Sequence, residues 1–175
     1  MIVSHQGLES FKISQGDLTI AVNPQAKVSA DITLFSSTPS ETSEKSGFVI
    51  TGPGEYEIKD VFIKGFLTKD SDTFKTTYLI SYEGMKLCFL GAVQTVEDIE
   101  DVDILFVPVL SDAAAAYKLA VSLEPSVMIP MHYDGTTLAQ FIKEGGEKVE
   151  PIDKFVVKKK DLEGKKGDII ILKQE

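Results

Sequence analysis

The chain has 175 residues, of which 43% are hydrophobic and 26% are charged. That length fits one globular domain with a proper core, which we place at residues 1–175. The formal charge is −9 and all 18 basic residues are lysines, a balance that argues against a nucleic-acid partner. No apolar run approaches the ~20 residues of a membrane span, and we expect neither a signal peptide nor a membrane partner. The one cysteine, Cys88, excludes an internal disulfide and predicts a cytoplasmic protein.

Short apolar runs bounded by turn residues predict β-strands as far as residue 90. The predicted strands cover residues 11–14, 18–22, 31–36, 48–51, 56–58, 61–67, 76–82 and 86–90. Gly16 and Gly84 lie in short polar turns, which predict two hairpins. Residues 36–46 are wholly polar and are expected to form an exposed loop. His5 precedes the first predicted strand and is expected at the surface.

A strand–helix–strand unit is predicted after residue 100. Residues 104–109 and 127–131 are short apolar runs that are typical of buried central strands. Between them, a run of alanines favours a helix over residues 113–123, which Asp112 caps and Pro125 ends. This order is typical of a crossover between two parallel strands.

A second helix is predicted over residues 138–143. Thr137 and Gln140 match a capping box, and two glycines at 145–146 end the helical pattern. The last predicted strands lie near residues 155–158 and 168–172. With about ten strands and two helices, the chain is predicted to be a strand-rich α/β domain.

Three segments are distinctive. Residues 51–58 (Thr-Gly-Pro-Gly-Glu-Tyr-Glu-Ile) form a glycine turn entering a strand, and residues 86–92 form a buried strand ending in glycine. Residues 127–133 (Val-Met-Ile-Pro-Met-His-Tyr) place a histidine just past a buried strand. Their order, over roughly residues 7–145, resembles the metallo-β-lactamase superfamily, in particular the small metal-dependent hydrolases related to ascorbate-phosphate lactonases. The resemblance implies an α/β/β/α sandwich that binds one or two divalent metals, usually zinc, to activate a water for hydrolysis.

The first metal motif of that family, His-x-His-x-Asp-His, is not kept in this sequence. Its positions match Ser37, Pro39, Glu41 and Thr42. Serine and threonine are not usual zinc ligands, and proline has no side-chain donor atom. The resemblance therefore leaves Glu41 as the one residue of this motif that is able to coordinate a metal.

The remaining family ligands are also replaced, with one exception. The next histidine of the family falls near residues 67–70, where the sequence has no histidine. The bridging aspartate matches Ala92, and the histidine of the family's Gly-His-Ser segment matches Leu8. The last ligand is kept as His132, which leaves too few donors for a tight zinc site.

These replacements predict a degenerate family member that has lost its metal site, needs no cofactor and acts by binding. The candidate vestigial cleft comprises His132, Glu41, Ser37, Ala92 and Glu55. The expected partner is a second copy of the chain, another protein or a small ligand. His132 is expected to be structural, because no residue that would orient it as a base is evident from the sequence. Cys88 is expected to be a buried, unreactive thiol.

Two alternatives stay open. One is a zinc-dependent hydrolase with an atypical site, built from Glu41, Asp70, Asp112 and His132. The other is a sensor that binds a small ligand in the same cleft without metal. In all three cases residues 36–46 provide no helix to cover the adjoining sheet, and an apolar sheet face left open predicts a homo-oligomer.

Overall fold

The computed structural model describes residues 1–26, 28–39, 47–70, 72–94, 97–146 and 148–175, except for the side chain of Asp70. These residues contain thirteen β-strands, two α-helices and a short 3₁₀ helix (Lys159–Leu162). The strands form two sheets, and every strand predicted from the sequence lies in one of them.

The first sheet has six strands in the order β12-β1-β2-β3-β4-β5. These strands are β1 (Ile2–Gly7), β2 (Ser10–Gln15), β3 (Leu18–Val22), β4 (Ile32–Leu34), β5 (Phe48–Ile50) and β12 (Phe155–Val156). The first three are antiparallel neighbours, and the pairing of Gln15 with Leu18 closes the hairpin predicted at Gly16. β3, β4 and β5 run parallel.

The second sheet has seven strands in the order β13-β11-β10-β9-β8-β7-β6. They are β6 (Gly54–Ile58), β7 (Val61–Asp70), β8 (Thr73–Tyr82), β9 (Met85–Phe89), β10 (Ile104–Pro108), β11 (Val127–Met131) and β13 (Asp168–Ile169). β6 to β9 are antiparallel, whereas β9, β10, β11 and β13 are parallel. The carboxyl ends of these parallel strands therefore meet at one edge of the sheet.

Both α-helices belong to the parallel half of the second sheet. Helix α1 (Ala113–Ser122) joins β10 to β11, and the Asp112 carboxylate accepts a hydrogen bond from the Ala115 amide at 2.9 Å, as its predicted capping role requires. Helix α2 (Gly135–Gly145) begins three residues before the predicted start. Its N-cap is Asp134, with Thr137 as the third residue of the capping box, so the prediction of Thr137 as the cap was wrong by one turn.

Apolar side chains from the facing sides of the two sheets form the larger core. Its centre is a group of aromatic rings: Phe89 and Phe106 stack with centroids 3.8 Å apart, and Phe11 meets Phe106 edge to face at 4.9 Å. A second core lies between the parallel strands and the helices and includes Leu105 and Phe141. The predicted strand-rich α/β sandwich is thereby confirmed.

The outer side of the first sheet is small and polar in its central row. Ser4, Lys12, Ala21 and Thr33 lie side by side across β1 to β4. Thr33 is 2% exposed, and its hydroxyl has no hydrogen-bond partner among the described residues. The apolar face on which the homo-oligomer prediction rests is thus not found in this row, and the oligomeric state itself stays a prediction.

His5 is buried, and the prediction that it lies at the surface was wrong. It sits in β1, is 1% exposed, and stacks on Phe11 with ring centroids 4.5 Å apart. The polar run Ser4-His5-Gln6 hides β1 in the sequence, but pairing with β2 and β12 makes it an internal strand of the sheet. No helix in the described part of the chain is long and apolar enough to cross a membrane.

Candidate ligand-binding cleft

The cleft begins where the end of β11 meets the turn between β1 and β2. His132 follows β11 directly, and its backbone N–H donates to the Leu8 carbonyl at 3.0 Å. Both residues adopt left-handed backbone conformations, with φ of +49° for His132 and +51° for Leu8. Side chains other than glycine adopt this conformation at a cost, and such residues concentrate at functional sites. The hydrogen bond from His132 to Leu8 therefore joins two residues with strained backbones, and both of them line the cleft.

His5 supports this turn from below. Its Nε2 lies 3.0 Å from the Leu8 carbonyl oxygen, and Nδ1 lies 3.4 Å from the Leu172 carbonyl oxygen. A carbonyl only accepts, so we assign a ring hydrogen to Nε2, the nitrogen at the shorter distance. The Leu8 carbonyl is thus held by two donors, the His5 ring and the His132 amide.

The His132 side chain is bonded to Glu9, which in turn is paired with Lys75. Nδ1 of His132 lies 2.8 Å from Glu9 Oε1, and the Lys75 ammonium lies 3.1 Å from the same oxygen. The Glu9 and Lys75 side chains are each 16% exposed, and the His132 side chain is 34% exposed. Because the carboxylate accepts from Nδ1–H, the other ring nitrogen of His132 is the one that remains for a further contact.

Around His132 lies an open cleft of about 390 Å³. One wall is the loop after β4, which is tied in place by side-chain hydrogen bonds. Asn23 Oδ1 accepts from the Ser36 amide at 2.8 Å and from its hydroxyl at 3.1 Å, while the Thr76 amide donates to the Ser36 carbonyl at 2.7 Å. The lining residues are Leu8, Glu9, Asn23, Pro24, Gln25, Phe35, Ser36, Ser37, Thr38, Pro39 and His132.

The structure brings together only part of the predicted cleft. His132 and Ser37 both line it. Ala92 is 3% exposed and is not part of the described lining. Glu55 lies on the edge strand β6, where its side chain is 79% exposed and 3.7 Å from the Lys64 ammonium, so it does not reach the cleft. Glu41 lies outside the described residues.

The other positions that were considered for metal ligands lie at different places in the fold. Leu8 and Pro39 line the cleft beside Ser37, whereas Thr42 lies outside the described residues. Asp112 is committed to capping α1 and does not line the described cleft. Asp70 ends β7, and nothing is described of its side chain.

Sequence reasoning missed Glu9 and Lys75. Glu9 directly follows Leu8, so the segment that matches the family's Gly-His-Ser motif contained the signal for it. Lys75 lies 66 residues away from Glu9 and has no local pattern that marks it. No partner that would orient His132 is evident from the sequence, but the fold supplies one in Glu9.

The thiol of Cys88 takes no part in the cleft. It is fully buried on β9 among the side chains of the second core. Burial raises the pKa of this thiol to about 12, so it stays protonated and unreactive at neutral pH.

A sequence profile described as a β-lactamase superfamily domain matches residues 3–132, about three quarters of the chain. The chain belongs to the metallo-β-lactamase superfamily. The match ends at His132, the residue that the sequence resemblance aligns with the last metal ligand of the family. No curated protein matches the sequence significantly.

Solved structures share the fold over nearly the whole chain. A candidate zinc-dependent hydrolase of the superfamily from Thermotoga maritima is 25% identical, with a TM-score of 0.83 over 99% of both chains. A candidate metal-dependent hydrolase from Parabacteroides distasonis is 15% identical, with a TM-score of 0.68 over 99% of this chain and 93% of the other. A metallo-β-lactamase fold protein from Bacillus subtilis is 9% identical, with a TM-score of 0.64 over 99% and 96%. The latter two show the likeness of fold alone.

Among the described residues of this metallo-β-lactamase-fold chain, the side chains of the cleft do not fit the metal that the superfamily implies. No three His, Cys, Asp or Glu side chains that the structure describes are grouped as a metal site. Of the residues that the structure describes, the cleft lining supplies two such donors, His132 and Glu9, against the four that zinc prefers. Moreover, Glu9 already carries the Lys75 ammonium. A cation on the carboxylate opposes a second cation at the same oxygen.

Proposed function

We propose that this chain is a non-hydrolytic metallo-β-lactamase-fold protein that binds a small polar ligand in the cleft beside His132, without a catalytic metal. The chain of contacts from Lys75 through Glu9 to His132 carries the proposal. The Lys75 ammonium compensates the negative charge of the Glu9 carboxylate. The imidazole is left with one nitrogen for a ligand.

The cleft has the size and the chemistry of a small-ligand site. Its volume of about 390 Å³ lies within the usual range of about 300–1,000 Å³ for such sites. Ser37, Thr38 and Gln25 offer hydroxyl and amide groups next to His132. Leu8 adds an apolar wall, since it lines the cleft and is 51% exposed. We therefore expect a ligand that combines a polar group with a small apolar part.

A zinc-dependent hydrolase with an atypical site is the second candidate. The similar protein from Thermotoga maritima, described as a candidate zinc-dependent hydrolase, favours it through 25% identity over nearly the whole length. Such a site would need Glu41, which lies outside the described residues, to join His132. The two candidates differ in metal content, so one measurement separates them.

The test measures bound metal and ligand binding on the same preparation. After dialysis, mass spectrometry should find far less than one zinc, iron or manganese per chain. Ligand-observed NMR with a panel of small carboxylates, phosphates and sugars should find a binder whose signal is lost in His132→Ala and kept in Lys64→Ala, a surface control. Near one metal per chain, lost in His132→Ala together with zinc-dependent cleavage of lactones or phosphodiesters, would establish the hydrolase instead.

Self-association and a cytoplasmic location also belong to this proposal. Phe48, on the edge strand β5, is 56% exposed and supports a contact between copies. The free, buried Cys88 supports a reducing compartment. Light scattering at tens of micromolar should show a dimer or larger ring, and a strict monomer would remove self-association from the proposal.

A further inference from the structure

Lys75 lies among the positions that match the family's metal ligands. Its carbonyl on β8 accepts a hydrogen bond from the Thr68 hydroxyl at 3.0 Å, and Thr68 belongs to the 67–70 segment. A Cβ added to Gly91 would lie 3.0 Å from the Lys75 Cβ, which places the start of this side chain beside the residue preceding Ala92. Its ammonium then reaches the carboxylate that holds His132.

The environment of Lys75 differs from that of the other paired lysines. Its side chain is 16% exposed, whereas the remaining ion-paired lysines among the described residues are between 33% and 61% exposed. Away from bulk water, charge interactions are screened less, so the ammonium acts strongly on Glu9. Lysine side chains are seldom buried to this degree without a specific partner.

From this placement we propose that the Lys75 ammonium takes the electrostatic place of the metal ion. It neutralises Glu9, fixes that carboxylate against His132, and excludes a divalent cation from these two side chains, which would hold one weakly with water as the remaining ligands. The inference deepens the proposed function, because it rests on a cleft that works without metal. Its consequence is that removal of the lysine charge opens the site to a metal that the wild-type chain excludes.

The experiment compares zinc and cobalt binding in wild type and in Lys75→Met. Calorimetry with Zn²⁺, and the absorption spectrum of bound Co²⁺, should show one cation per chain in Lys75→Met, bound about tenfold or more tightly than in wild type. Lys75→Arg keeps the positive charge and should behave as wild type. The double variant Lys75→Met/His132→Ala should lose the gained affinity, and Lys64→Met on β7 is the surface control.

The outcomes separate this inference from the proposed function. If Lys75→Met is folded by circular dichroism and binds zinc no more tightly than wild type, Lys75 does not exclude the metal, and the metal-free proposal stands. If wild type itself binds one zinc per chain and loses it in His132→Ala, both proposals fail. Lys75→Gln, which keeps a polar group on the same strand, replaces Lys75→Met should that variant not fold, with the same expectations.

Discussion

Two carboxylates at opposite ends of the same parallel strands differ in what holds them. Asp103 lies just before β10, at the amino end, and its side chain is 9% exposed. It accepts from the Lys86 amide at 2.8 Å and from the Lys159 ammonium at 2.7 and 2.8 Å. Glu9 lies beside the carboxyl end of β11 and is held by two side chains, His132 and Lys75.

The partners of Asp103 indicate a structural role, whereas those of Glu9 indicate a ligand-binding site. The partners of Asp103 are the backbone of a neighbouring strand and a lysine of the 3₁₀ helix, so the carboxylate fastens the end of the chain to the sheet. Of the Glu9 partners, His132 faces an open cleft. In sheets with parallel strands, ligands bind outside the carboxyl ends. Similar ion pairs thus have different consequences at the two ends.

The largest effect is expected at the amino end. Asp103→Ala should lower the free energy of unfolding by about 2–3 kcal/mol, because it leaves the Lys86 amide without its acceptor near the core. Urea unfolding at pH 7 measures the loss. Lys159→Met should cost less than about 1 kcal/mol, since that ammonium is largely exposed. Equal losses in the two variants would contradict the assignment of Asp103 as the buried centre of this tie.

A smaller effect is expected from the support of the cleft. His5→Phe keeps an aromatic ring against Phe11 but removes the donor to the Leu8 carbonyl. We expect a loss of about 1–2 kcal/mol in unfolding free energy. The His132 ring signals in NMR should also shift, because the turn that holds Glu9 loosens. Unchanged His132 signals in a destabilised protein would mean that His5 supports the core and not the cleft.

A still smaller effect on stability is expected within the cleft. His132→Ala should cost less than about 1 kcal/mol, because its side chain is one-third exposed and faces open space. The same urea titration provides the value, with Asp103→Ala as the reference. A loss as large as that of Asp103→Ala would make His132 a structural residue and would remove the contrast between the two ends.

The smallest effect is expected at the N-cap of α2, two residues after His132. Hydrogen bonds from the Thr137 backbone lower the pKa of Asp134 below its ordinary value of 3.8. A carboxylate with a lowered pKa stabilises the fold above its ordinary pKa and loses this contribution as the pH falls through the lowered value. Asp134→Ala should therefore melt slightly below wild type at pH 7, and the difference between the two melting temperatures should narrow as the pH falls below 3.8. A constant gap would show that the cap acts through hydrogen bonds without charge.

Much of the fold was predictable from local pattern, and the exceptions have physical reasons. β3 occupies the predicted residues 18–22, and the predicted helix 113–123 extends only one residue beyond α1, because apolar spacing and the Asp112 cap are local signals. β1 is hidden because three successive polar residues break its alternation, and only pairing with its neighbours makes it a strand. The predicted start of α2 lies three residues after the observed one because Gly135 and Thr136 are weak helix formers. The first turn of the helix therefore carries little signal in the sequence.

Within the cleft, the position of His132 was predictable from the sequence, whereas its contacts with Glu9 and Lys75 were not. His132 stands in a motif of consecutive residues, and its position past β11 follows from that strand. Lys75 lies on β8 of the second sheet and Glu9 lies in the turn between β1 and β2 of the first sheet, so the two meet only when the sheets pack together. A side chain that supplies positive charge to such a cleft, as we propose for Lys75, follows no spacing rule in the sequence, since any strand end near the site is able to supply it.

The support of the cleft also bears on the order in which the chain folds. The Leu172 carbonyl lies against the His5 ring, and the Glu175 amide donates to the His5 carbonyl at 2.9 Å. These contacts join residues almost the full length of the chain apart, and such closures come late in folding. During synthesis, the turn between β1 and β2 therefore lacks these contacts with His5 until residues 172–175 have left the ribosome. A nascent chain stalled before that point should hold both sheets' hairpins and lack a finished cleft.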